Sequence, residues 1–219
     1  MNRFQAAIFD LDGTLLDSMG VWAKIDVDFL AKRGFAVPAG YADEICARSF
    51  RDAAEYTICL FGLNEKAEDV MEEWRAMAAC EYSQNVRLKA HVREYLTQLR
   101  QSGVKLAAAT GLSEALYAPC LKNNGIYDLF DVLCSTDEAG RGKDHPDVFL
   151  LAAEKLGLPP ERCVVFEDVL PAVLSAKRAG MTVYGVYDKH AEHMRPEIMR
   201  AADGYLCGFG DKLRESEAL

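Results

Sequence analysis

The first apolar run of the chain, Ala6-Ala7-Ile8-Phe9, passes directly into Asp10-Leu11-Asp12-Gly13-Thr14-Leu15-Leu16-Asp17-Ser18. A short continuous apolar run reads as a strand buried on both faces, as in a parallel sheet. Two carboxylates then stand one residue apart where the strand stops, and Gly13 lets the chain turn sharply. In open α/β sheets that edge is where ligands bind. Like charges this close are costly to bury unless a cation or a reacting group uses them. Such a pair suits metal-assisted attack. Asp is a competent nucleophile toward phosphoryl groups, Mg²⁺ is held by one or two carboxylates with phosphate and water, and a second carboxylate can shuttle protons. A strand end whose Asp residues merely cap the next turn fits the short motif equally well.

Further strands are predicted at 104–110, 130–134, 163–167, 182–186 and 204–207, with amphipathic helices at 91–102, 114–124, 146–156, 171–179 and 191–201. Strand–helix alternation of this kind implies a parallel sheet covered on both faces. From about Met19 to Leu88 the rhythm breaks. Val21, Ile25 and Phe29 recur every fourth residue, as do Val70, Trp74 and Ala78, and 53–60 reads as helical too. Gly34 and Pro38 end the first of these helices. The expectation is an all-helical insertion at 18–87 in a core built from 1–17 plus 88–219, lying over the strand end as a lid. Trp22 and Trp74 are expected to be packing residues of that insertion.

The net charge of −9 over 219 residues argues against nucleic acid or an anionic membrane as the main partner. It leaves a small phosphorylated metabolite open, because local cations set the field inside a site. No run approaches the ~20 apolar residues of a membrane span, and no secretory leader is evident at the N-terminus. The seven cysteines are scattered without a C-x-x-C pair, so zinc and redox motifs are unsupported. They are expected to be small buried hydrophobes in a reducing, cytoplasmic setting.

Three more motifs sit at or just beyond predicted strand ends. Ala109-Thr110-Gly111-Leu112-Ser113 places a hydroxyl and a Gly before a helix, a good cradle for an anion; Thr110 or Ser113 equally serves as a helix cap. Gly142-Lys143-Asp144-His145-Pro146-Asp147 sets a Lys in a turn, where it could offset phosphoryl charge or simply be a surface Lys. Val164-Val165-Phe166-Glu167-Asp168 ends a strand in two acids; Asp168 could complete a metal shell facing Asp10, or cap the next helix.

Taken in order, these four motifs closely resemble those of the haloacid-dehalogenase superfamily of phosphotransferases, in particular its β-phosphoglucomutase-like and phosphatase branch. The resemblance runs over nearly the whole chain. It implies an α/β fold, a Rossmann-like parallel sheet core flanked by helices with an inserted helical cap, and Mg²⁺ as cofactor. It implies that Asp10 is the nucleophile that becomes an aspartyl-phosphate. Asp12 is then the general acid/base, its backbone carbonyl also reaching the metal. Asp168 is the second metal carboxylate, with Glu167 beside it. Thr110 and the Gly111 N–H hold phosphoryl oxygens, and Lys143 bridges Asp10 and the phosphoryl group. An acid two residues after the nucleophile fits phosphate esters or phosphomutase chemistry. Mutases of the branch carry a His ten residues after the second Asp, where this chain has Trp22, and that favours a phosphatase over a sugar phosphomutase. Substrate choice is expected from the cap, where Arg48, Ser49 and Arg51 are candidates for a second anionic group, or a solvated helix face. The sequence departs from the branch at Val169 and Ala172, which puts the loop near the metal in doubt, and at Asp144, which is expected to draw Lys143 partly away. Oligomeric state is not readable.

Overall fold

The computed structural model describes residues 4–46 and 50–214. The chain divides into two compact units, one formed by Met1–Ser18 with Val86–Leu219 and the other by Met19–Asn85. In chain order, strand β1 is Ala6–Phe9. The second unit follows with helices α1 Val21–Ala31, α2 Tyr41–Cys46, α3 Phe50–Phe61 and α4 Ala67–Gln84. The first unit resumes with α5 Val92–Gln101, β2 Lys105–Thr110, α6 Glu114–Asn123, β3 Val132–Ser135, α7 Thr136–Ala139 and α8 Asp147–Leu156. It closes with β4 Cys163–Glu167, α9 Leu170–Arg178, β5 Thr182–Val186, α10 Arg195–Ala201, β6 Gly204–Leu206 and α11 Phe209–Arg214.

The six strands form one sheet in the order β3-β2-β1-β4-β5-β6, and every pair is parallel. β1 therefore lies at the centre, and all four of its residues are fully buried, as its unbroken apolar run requires. Alternate residues feed two different layers. Ala6, Ile8, Ala107, Ala109, Val165 and Val183 join an aliphatic core with Val148, Phe149, Ala152 and Val173 from α8 and α9. On the other side, Phe9 stacks on Phe166 at 4.6 Å, and Tyr95 of α5 and Phe209 of α11 pack against both rings. Small Ala side chains in β2 face α8 and large rings face α5, so the two layers differ in kind.

The helical unit is held by stripes at the predicted spacing: Val21, Ile25 and Phe29 of α1 and Val70, Trp74 and Ala78 of α4 are buried. Phe29 meets Trp74 edge-on at 5.4 Å. Arg33 lies over the Phe29 ring, grips Glu65 through two nitrogens at 2.6 and 2.7 Å, and reaches Glu73 at 2.6 Å. Trp22 departs from expectation: it remains 41% exposed, touching Phe50 edge-on, because its position on α1 is offset from the buried stripe. The cysteine expectation holds for Cys120, Cys134 and Cys163. It fails for Cys59, Cys80 and Cys207, which are exposed; Cys59 and Cys80 lie on solvent-facing helix positions. The predicted helix over 191–201 is two pieces, a tight 3₁₀ segment Lys189–Met194 and then α10. Pro196 at the start of α10 suits a fresh first turn. Among the described residues no helix is long and apolar enough to cross a membrane.

Candidate active site

The sheet topology explains where the acids meet. The chain leaves β1 on one side toward β2 and later returns on its other side as β4, which makes the β1–β4 seam a switch point. Phe9 is in register with Phe166, and the Asp10 N–H donates to the Phe166 carbonyl at 3.0 Å. That bond carries the pairing one residue past β1. It holds Asp10 beside Glu167 and Asp168, so that three carboxylates lie with one oxygen each within 4.8 Å of the others. All three are buried.

Lys143, from the loop before α8, offsets this charge. Its ammonium donates to Asp10 Oδ1 and to Glu167 Oε1, the latter at 2.7 Å. The other Glu167 oxygen accepts from the Asp168 and Val169 N–H groups at 2.8 and 3.2 Å. Both oxygens of Glu167 are thus committed to holding Lys143 and the start of α9. Asp144 does not draw Lys143 away, as the sequence had suggested. Its carboxylate faces His145 at 3.7 Å and its carbonyl accepts from Arg178. Val169 and Pro171 open α9 without distorting it, and Ala172 is fully buried against the core.

Asp168 accepts from the Thr14 hydroxyl at 3.1 Å on Oδ1, while its buried Oδ2 has no hydrogen-bond partner. A buried carboxylate oxygen left bare is expensive. Burial pushes the Asp10 carboxyl up to about 7, reinforced by Glu167 and Asp12 and opposed by Lys143. Burial likewise pushes Asp168 up to about 9, reinforced by Glu167 and Asp10. For Lys143, burial works against the charge, but Asp10 and Glu167 outweigh it and keep the ammonium protonated. A hard divalent cation bound by oxygen would satisfy the bare Asp168 Oδ2 and lower both acids. The donor set therefore fits a hard divalent cation, with Asp10 and Asp168 as the available carboxylates.

The carboxylate of Asp12 stands outside this cluster. The Ser18 hydroxyl donates to it at 2.5 Å, and the next residue, Gly13, has a left-handed φ of 77°. Thr110 ends β2 buried, its hydroxyl accepting from the Leu112 N–H at 3.1 Å. The hydroxyl thus shapes the loop, while Ser113 makes no side-chain cap bond to α6. Gly111 is exposed, and a Cβ there would meet nothing within 4 Å, so its backbone is open to an anion. Arg51 pairs with Glu68 at 2.8 Å and Glu55 at 3.8 Å within the helical unit. Arg48 and Ser49 lie outside the described residues. Thr14 and Ser18 were given no role from sequence. Thr14 closes the Asp-Leu-Asp-Gly-Thr stretch and Ser18 follows four residues later, and their hydroxyls beside the acids Asp168 and Asp12 were the signal.

The model of the haloacid dehalogenase-like hydrolases matches residues 4–180. The chain belongs to this family. A phosphorylated-carbohydrates phosphatase of Thermotoga maritima is 29% identical over 189 residues, 83% of this chain and 85% of that protein. Hexitol phosphatase B of Escherichia coli K12 is 27% identical over 183 residues, 80% of each chain. Among solved structures, a Thermotoga maritima protein put forward as a β-phosphoglucomutase superposes with a TM-score of 0.83 at 25% identity, covering 97% of this chain and 99% of that one. The chain thus falls in the β-phosphoglucomutase-like and phosphatase branch, as a phosphoric monoester hydrolase.

Proposed function

We propose that this protein is a Mg²⁺-dependent phosphatase of small phosphorylated metabolites, sugar or sugar-alcohol phosphates foremost, acting through an aspartyl-phosphate on Asp10. The observation that carries the reading is the buried Asp10–Lys143–Glu167–Asp168 constellation with its bare Asp168 oxygen. The names of the two phosphatase relatives support the substrate class. In this reading the helical unit Met19–Asn85 is the family's cap and carries substrate choice. A phosphomutase has weaker support, since the two relatives described above are named phosphatases and Trp22 replaces the mutase His.

When bound, Mg²⁺ supplies positive charge that offsets phosphate and carboxylate. The chain's own residues do the rest. Asp10 attacks phosphorus as the bond to the leaving oxygen breaks, and Asp12 gives that oxygen a proton. Asp12 then takes a proton from the water that hydrolyses the aspartyl-phosphate. Lys143, fixed by Glu167, stands against the charge on Asp10 and the transferring group, while the Thr110–Gly111 loop orients its oxygens.

The test is phosphate release from a panel of phosphorylated metabolites with Mg²⁺ or chelator, wild type beside Asp10→Asn. Mg²⁺-dependent release that vanishes in the variant is expected. Activity retained in Asp10→Asn would overturn the nucleophile. Silence on the whole panel, followed by bisphosphate-primed isomerisation of hexose phosphates, would make the protein a mutase.

A further inference from the structure

Lys89 was unremarked in the sequence, yet it joins three segments of the sheet unit. Its ammonium donates to the Gly13 carbonyl, to the Tyr187 carbonyl at 2.8 Å and to Asp188 Oδ2 at 2.8 Å, which uses all three of its protons. Its backbone N–H donates to the Leu15 carbonyl at 2.9 Å. Next to it, Leu88 bridges Leu16 antiparallel and the Arg87 carbonyl accepts from the Asp17 N–H at 2.9 Å. The other oxygen of Asp188 accepts from the His190 N–H at 2.8 Å, and Asp188 is 5% exposed.

A buried ion pair is weak evidence for stability, because well-packed apolar residues often serve as well. Stability alone therefore does not account for Lys89 and Asp188. What no apolar pair could replace is the bond to Gly13, the residue after Asp12. The turn already closes on itself through Leu15 and Leu16 N–H bonds to the Leu11 carbonyl at 2.9 and 2.8 Å and a Gly13 N–H bond to the Leu16 carbonyl at 3.1 Å. Thr14 pins its far side to Asp168. The Ser18 hydroxyl holds the Asp12 carboxylate itself, and the Gly13 peptide is a backbone lever on its direction, since Gly itself resists rotation poorly.

We propose that Lys89, held by Asp188, is a positioning residue for Asp12: by binding the Gly13 carbonyl it fixes the turn that presents Asp12 to the leaving oxygen. This rests on the phosphatase reading above. Asp12 matters as an acid when the P–O bond to the leaving group breaks. Its placement therefore weighs most for poor leaving groups, because general-acid assistance scales with the basicity of the oxygen that departs.

The test compares kcat/KM on phenyl phosphate and p-nitrophenyl phosphate, which differ mainly in leaving-group basicity. Lys89→Met alone leaves Asp188 buried and unpaired and is expected to lower Tm. The double variant Lys89→Met/Asp188→Leu removes both charges and is expected to regain most of that stability. It should nevertheless lose about tenfold more kcat/KM on phenyl phosphate than on p-nitrophenyl phosphate, a part of the 10²–10⁴-fold usual for a general acid. Equal losses on both substrates, or none, in a double variant of near-wild-type Tm would overturn the positioning role while leaving the phosphatase reading intact. Wild-type protein inactive on both esters and on the metabolite panel would remove the phosphatase reading, and this inference with it.

Discussion

Binding of a divalent cation to Asp10 and Asp168 should expel protons. Burial raises the two carboxyls to about 7 and about 9 from an ordinary 3.8. At pH 7 Asp168 holds its proton almost fully and Asp10 holds its proton about half the time. A cation that needs both as carboxylates therefore displaces about 1.5 protons. Ionising Asp168 at pH 7 works against its raised pKa and costs on the order of a few kcal/mol. Affinity should then climb roughly thirtyfold from pH 6.5 to 7.5 and level off above about pH 9. Stability has a matching sign. Acids with a raised folded pKa favour the fold below their unfolded value, and that contribution is lost as pH rises through the folded value. The cation-free protein should lose stability from about pH 4 to 9, and the Tm gained with Mg²⁺ should grow over that range. Calorimetric titration of the chelated protein with Mg²⁺ at pH 7, in two buffers of different protonation enthalpy, measures the protons directly. Heats that do not depend on the buffer, together with an affinity flat between pH 6 and 8, would refute the burial argument.

Tyr95 buries its hydroxyl without a partner among the rings of Phe9, Phe166 and Phe209, so Tyr95→Phe should raise stability by ~1 kcal/mol, read from the denaturation midpoint; a lowered midpoint at unchanged m would count against an orphaned hydroxyl. Thr14→Val removes the hydrogen bond to Asp168 Oδ1 and should cost ~1–3 kcal/mol in the chelated protein, less with Mg²⁺ present. Gly111→Ala places a methyl in open space at an ordinary φ. Its stability should stay within ~0.5 kcal/mol of wild type, while inhibition by inorganic phosphate weakens if this backbone cradles an anion.

The sheet was legible because its strands are continuous apolar runs: 163–167 and 182–186 coincide with β4 and β5 to the residue. The short helices α2 and α7 escaped, since four to six residues give periodicity too little length to register. Another miss was the conformation of His91, the only described non-glycine residue with positive φ, at 64°, which no local pattern announces. In the site, Asp10, Thr110, Glu167 and Asp168 could be found because each terminates a strand. Their partners could not. Whether Lys143 turns to Asp10 or to Asp144, and which carbonyl Lys89 reaches, depends on segments far apart in sequence. Trp22 shows the same limit on a helix, where one step around the axis separates a packed ring from an exposed one.

The central position of β1 sets a timetable for synthesis. β1 is made first but pairs with β2, about 95 residues later, and with β4, about 155 residues later. At ~5–20 residues per second, a nascent chain carries Ala-Ala-Ile-Phe without its first neighbour for roughly 5–20 s, and without its second for roughly 8–30 s. The helical unit, made of local contacts, can form during that wait. Asp10 meets Glu167 and Asp168 only once the chain as far as Asp168 has left the ribosome, so a nascent chain that stops short of β4 carries no assembled cluster of acids.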